Sequence, residues 1–125
     1  MASQLVPATA PLPADLVAAD QVETAAILAF TEGPAVDLEG NVFFSDIQNN
    51  RIMRFSAAGE LDVFRADSGR ANGNIFDREG RLVTCEGAEF GPGGRRQMTR
   101  TDMKTGEVEI LTARYEGKRY NSPCR

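Results

Sequence analysis

The chain predicts an all-β fold, a partial β-propeller of about two four-stranded antiparallel blades. Three observations predict it. Asp37-Leu38-Glu39-Gly40 is a tight turn, and Asn41 to Asp46 after it is an apolar, β-prone run. The same unit returns at Asp77-Arg78-Glu79-Gly80 and Arg81 to Glu86, 40 positions on. Each copy leads into two further short strand-like runs divided by turn residues. Four-stranded units of roughly 40–45 residues are the repeat of a propeller, which closes with typically 4–8 blades.

The elements follow in order. Residues 1–23 form an extended lead-in with Pro7, Pro11 and Pro13, in which Pro13 to Ala19 has room for one helical turn. Thr24 to Phe30 is the first plausible strand. Within the first blade, residues 24–65, Thr31 to Val36, Asn41 to Asp46, Arg51 to Phe55 and Leu61 to Phe64 read as strands. The second blade, residues 66–113, repeats them with Asn72 to Phe76, Arg81 to Glu86, Gln97 to Thr101 and Val108 to Leu111. Residues 114–125 are the stub of a third blade. Val42, Phe43, Phe44, Ile52, Phe55, Ile75, Phe76, Leu82 and Val83 are the expected core.

Composition narrows the function. The net charge is −4, from 14 basic and 18 acidic residues, so a nucleic-acid surface is not expected. No run is long and unbroken enough to span a membrane, and the proline-broken start does not read as a secretory signal. With no histidine, His-activated nucleophiles and His-rich zinc sites are excluded, and a metal would need oxygen ligands. Cys85 reads as a small buried apolar residue and Cys124 as free. That usage, with no CxxC spacing, predicts an intracellular, cytoplasmic protein. Glu89 to Arg96 has the look of a phosphate cradle but lacks a following helix and the Lys-Ser/Thr of a P-loop, so a hairpin loop is expected.

One polar residue recurs at the same place in each unit. Glu32 precedes Gly33-Pro34, and Asn72 precedes Gly73. In a propeller the first strand of each blade lines the channel, so both would stand at its mouth, as an oxygen-ligated cation requires. In an eight-stranded β-sandwich, the structural alternative, the two would be ordinary turn or cap residues.

Three stretches together resemble the gluconolactonase branch of the SMP-30/gluconolactonase/LRE family. They are Glu32-Gly33-Pro34 with Asp37 and Gly40; Ala71-Asn72-Gly73 with Asp77 to Val83; and Tyr115 to Pro123. The likeness runs from about Phe30 to Pro123 and covers the first part of a six-bladed propeller. It implies a metal-dependent hydrolase that opens sugar lactones. It implies that Glu32 is a metal ligand and that Asn72 lies near the substrate. Arg119 and Asn121 are further candidates for the substrate side. The cation implied is calcium, with magnesium or zinc as alternatives. Where the family continues after Asn121-Ser122-Pro123, this sequence has Cys124-Arg125, so the resemblance implies a truncated, inactive fragment whose catalytic base is not identified here. The non-catalytic alternative is a small all-β interaction module, or one part of an oligomeric propeller. Open blade edges predict marginal stability and self-association.

Overall fold

The computed structural model describes residues 23–24, 27–28, 30–87 and 93–123. Two four-stranded antiparallel sheets carry the fold. The first is β1 (Thr31–Val36), β2 (Val42–Asp46), β3 (Arg51–Phe55) and β4 (Leu61–Ala66). The second is β5 (Ala71–Phe76), β6 (Leu82–Glu86), β7 (Gln97–Thr101) and β8 (Val108–Thr112). Strand order within each sheet follows chain order. These are the meanders of two propeller blades. A short hairpin, β9 (Arg114–Tyr115) with β10 (Lys118–Arg119), follows them.

Local chemistry explains the turns. Asp37 Oδ1 accepts the backbone N–H of Glu39 and of Asn41, both at 2.9 Å, and Gly40 takes φ +85°. Asp77 repeats this with Glu79 at 2.9 Å and Arg81 at 3.0 Å. An aspartate bonding the backbone two and four residues on closes the turn before the sheet forms. These bonds pull both carboxyls below the usual range. For Asp77 the backbone bond from Arg81 is the largest cause; for Asp37 the bonds outweigh a larger opposing desolvation.

The core lies between the sheets. Phe43, Ile52, Ala71 and Leu82 are buried together, with Ala35, Phe64, Phe76 and Met103 packed against them. Phe43 is the hub. Its ring meets Phe64 of its own sheet edge-on at 4.9 Å and Phe76 of the other sheet at 5.4 Å. Inner strands β1 and β5 lie side by side.

Several expectations change. The stretch Thr24 to Phe30 has no strand among its described residues; the chain is pinned instead where the Phe30 carbonyl accepts the N–H of Ile47 at 3.1 Å. Of the expected core residues, Ile75 is 66% exposed. Strand alternation turns it away from the first sheet, because its neighbour Asn74 faces that sheet. Val42, Phe44, Phe55 and Val83 are only half-buried. Cys85 is half-buried and disulfide-bonded rather than a free apolar filler, and none of the described cysteines is free. This removes the cysteine argument for a reducing compartment. Among the described residues no helix is long and apolar enough to cross a membrane. The expected helical turn at 13–19, residues 89–92 of the expected 89–96 loop, Cys124 and Arg125 lie outside the described residues.

Candidate functional site

The backbones beside Glu32 and Asn72 meet at Gly33. Gly33 has φ +54°, a conformation that L side chains rarely adopt. A methyl group there would stand 2.7 Å from Gly73 Cα and 2.9 Å from the Asn74 N, and nearer still to the Asn72 carbonyl oxygen. Only a residue without a side chain allows the two inner strands to approach so closely. Both strands break register at this point, β1 between Glu32 and Ala35 and β5 between Ala71 and Asn74. Such bulges re-aim side chains at sheet ends and next to sites.

A polar clasp holds the junction. Ser45 Oγ donates to the Asn72 carbonyl at 2.8 Å. Asn74 Nδ2 donates to the Gly33 carbonyl and to Ser45 Oγ, both at 2.9 Å. Asn74 Oδ1 accepts from Thr84 Oγ1 at 2.9 Å. One amide thus ties β1, β2, β5 and β6. The residue after Glu32 and the residue Asn72 itself are both fixed by it. Sequence reasoning passed over Asn74 and Ser45, although Asn74 stands two residues past Asn72 in the same motif.

The candidate residues differ in setting. Glu32 is exposed and stands opposite Ser45. It lines a cleft of about 440 Å³ whose other walls include Leu28, Pro34, Val42, Phe44 and Phe55. Asn72 is half-buried. Arg119 is exposed in β10, and its Nη2 donates to the Arg95 carbonyl at 2.9 Å. Asn121 is exposed beyond β10. Its neighbour Ser122 lies close to Gly87, whose N–H donates to the Arg70 carbonyl just before β5. The hairpin thus returns to the end of the sheet where β5 begins. No hydrogen bond among the described residues joins Arg119 or Asn121 to Glu32 or Asn72. No group of three or more His, Cys, Asp or Glu residues able to hold a metal occurs among the described residues.

A second polar cluster was not foreseen. Glu86 is fully buried at the end of β6. Its carboxylate receives the Arg65 guanidinium from β4, Thr99 Oγ1 at 3.1 Å and Gln97 Nε2 at 2.9 Å. Arg95 Nη1 stands 3.5 Å away and also bonds the Asp67 carbonyl at 3.0 Å. The cluster ties the outer strand of the first sheet into the second, and through the Arg95 carbonyl it reaches Arg119.

Residues 30–123 match the model of the SMP-30/gluconolactonase/LRE-like region. The chain belongs to this family. A gluconolactonase from Xanthomonas campestris is 35% identical, with a TM-score of 0.66 over 76% of this chain and 30% of that one. A gluconolactonase candidate solved by structural genomics is 32% identical, with a TM-score of 0.65 over 76% and 31%. Virginiamycin B lyase from Staphylococcus aureus, 15% identical with a TM-score of 0.52 over 71% and 29%, shares the fold alone. The chain therefore spans about a third or less of the length of these relatives. No curated protein sequence matches it.

Proposed function

We propose that this chain forms one edge of the site of a divalent-metal hydrolase that opens sugar lactones. In this reading Glu32 is a ligand to the cation, calcium before magnesium or zinc, and Asn72 faces the substrate, with Arg119 and Asn121 on its rim. The observation that carries the reading is the seating of Glu32-Gly33-Pro34 against Asn72-Gly73 on adjacent inner strands, in a family member 35% identical to a gluconolactonase.

The described residues do not by themselves fit the cation. Glu32 is a single exposed carboxylate, and a calcium site takes about 6–8 oxygen ligands. The 125 residues alone should turn over no lactone and bind calcium no more tightly than about millimolar, as expected where ligand charge is low. The test is a chimera in which residues 30–123 replace the matching segment of the Xanthomonas gluconolactonase. The chimera should hydrolyse glucono-lactone, and Glu32→Gln should abolish turnover and calcium binding together. An active chimera indifferent to Glu32→Gln would remove Glu32 from the site. The non-catalytic reading, an interaction module or part of an oligomeric propeller, draws on the apolar cleft beside Phe44.

A further inference from the structure

Arg119 is an exposed side chain with a fixed acceptor. Its Nη2 donates to the Arg95 carbonyl at 2.9 Å. Among the described residues it has no other partner, so most of its five N–H donors are open to a ligand. A long exposed arginine normally samples many rotamers, and ordering it costs entropy. Its acceptor here is not a loose carbonyl, because Arg95 is held at both its side chain and its N–H. Arg95 Nη2 pairs with the Asp67 carboxylate. Its Nη1 donates to the Asp67 carbonyl at 3.0 Å and stands 3.5 Å from Glu86 Oε2. Its N–H donates to the Gly69 carbonyl at 3.4 Å.

The carbonyl is aimed as well as held. A trans peptide points its C=O and its N–H in opposite directions. The N–H of the trans Arg95–Arg96 peptide donates to the Gly87 carbonyl at 3.4 Å. Its C=O therefore points away from Gly87, and Arg119 meets it there. Arg96 takes φ +55° to set this plane, and Asp67 takes φ +51° in the turn that grips Arg95. Such backbone is uncommon outside glycine and persists only where the surroundings enforce it. The turn packs directly on the pair it serves: a methyl group on Gly69 would stand 2.7 Å from the Glu86 carboxyl carbon and 3.0 Å from Arg95 Nη1. Exposure rises step by step along this bracket. Glu86 is 0% exposed and bonded by Arg65, Gln97 and Thr99, the Arg95 side chain is 37% exposed, and Arg119 faces solvent. Rigidity of the core is thus carried out to the surface.

We propose that Glu86 and Asp67 are positioning residues, which act through Arg95 to fix the Arg119 guanidinium on the substrate rim. The proposal rests on the reading of Arg119 as part of that rim. A guanidinium ordered in advance spares the substrate the cost of ordering it, so the gain is in binding. A rim contact made equally before and in the transition state moves KM and leaves kcat unchanged. A bracket that served the fold alone would move stability and leave KM unchanged.

Arg95→Ala separates the two roles. It keeps the carbonyl that Arg119 uses and leaves Glu86 paired with Arg65. In the full chain carrying isotope-labelled arginine, NMR of the parent should show an Arg119 guanidinium that rotates and exchanges slowly. In Arg95→Ala that signal should match free arginine. In the chimera carrying residues 30–123, Arg95→Ala should raise KM for glucono-lactone by roughly three- to tenfold at unchanged kcat, the factor expected for ordering one side chain on binding. Asp67→Asn should move both readouts the same way and by less. It decides if Arg95→Ala does not fold, because Asp67 is exposed and asparagine tolerates its left-handed backbone. An Arg119 signal that stays slow in both variants overturns the proposal. So does a KM unmoved by Arg95→Ala in a chimera where Arg119→Ala raises it. A KM indifferent to Arg119→Ala would strike Arg119 from the rim, which is the failure of the earlier reading and takes the proposal with it.

Discussion

The two sheets follow one backbone plan and cover the same face in opposite ways. In the second sheet the face turned to its neighbour carries Thr84, Glu86, Thr99 and Thr101, all buried. In the first sheet the matching positions are Phe44, Asp46, Met53 and Phe55. The polar face works because its hydrogen bonds close within the pair of sheets. Thr84 reaches Asn74, Thr99 reaches Glu86, and Arg65 crosses from β4 to complete the set. Among the described residues the apolar face shows no such network and keeps one buried carboxylate oxygen unpartnered. A repeat therefore copies a backbone, while each interface finds its own chemistry.

Breaking the crossing pair should have the largest effect. Arg65→Ala removes the nearer of the two cations from Glu86, which is fully buried in the parent, and leaves Arg95 Nη1 at 3.5 Å. Loss of one partner of a buried pair costs about 3–5 kcal/mol. Chemical denaturation should show this loss for the whole chain, because the pair joins both sheets. A loss below about 1 kcal/mol, the level of an exposed ion pair, would mean that the two sheets are held by Phe43 and its neighbours instead.

Cutting the clasp should come next. Asn74→Ala leaves the Gly33 carbonyl and the Thr84 hydroxyl without their amide partner, at a cost of about 1–3 kcal/mol. The variant sharpens the comparison because the clasp belongs to the inner strands and the Arg65 pair to the outer ones. Hydrogen exchange should quicken at Gly33 and Asn72 before it quickens in β7. Uniform quickening would show that the junction is not a separable unit.

The smallest effect belongs to the turns, where the two sheets agree. The folded form holds the Asp77 carboxyl below its ordinary value. Its ionised form is favoured in the fold, so the stabilisation is present above pH ~3.8 and is lost as pH falls through the lower folded value. Asp77→Asn should weaken the chain slightly at pH 7 and make its acid unfolding less steep. Urea midpoints measured between pH 7 and pH 3 would check this. A variant whose acid slope equals that of the parent would place the acid-sensitive groups elsewhere.

The reading of the sequence succeeded where the cause was local. Asp37 and Asp77 close their turns with their own backbone, and β2, β3, β6 and β7 fall on the runs expected of them. It also singled out the Glu32-Gly33 and Asn72-Gly73 pairs, because a polar residue before a glycine recurred at one point of the repeat; the backbones of Gly33 and Asn72-Gly73 do meet, and the roles of Glu32 and Asn72 stand as proposals. It erred at Ile75, where alternation was clear but the covered face was not. It misjudged Cys85, which is half-buried and disulfide-bonded. It passed over Asp46 and Glu86, although both end the repeated strand and their match was visible in the repeat.

By itself, then, the order of residues determined the turns, the strands, their antiparallel order and the recurrence of the unit. Each of these depends on neighbours a few positions apart, through backbone conformation and side-chain alternation. Tertiary structure decided the seating of Gly33 on Asn72-Gly73-Asn74, the clasp of Asn74, and the donation of Arg65 to Glu86. Those contacts join residues 21 to 41 positions apart. The value of each polar group depends on whether its partner arrives before water is excluded. No local pattern states which distant donor will arrive, and at Asp46 Oδ1 none has.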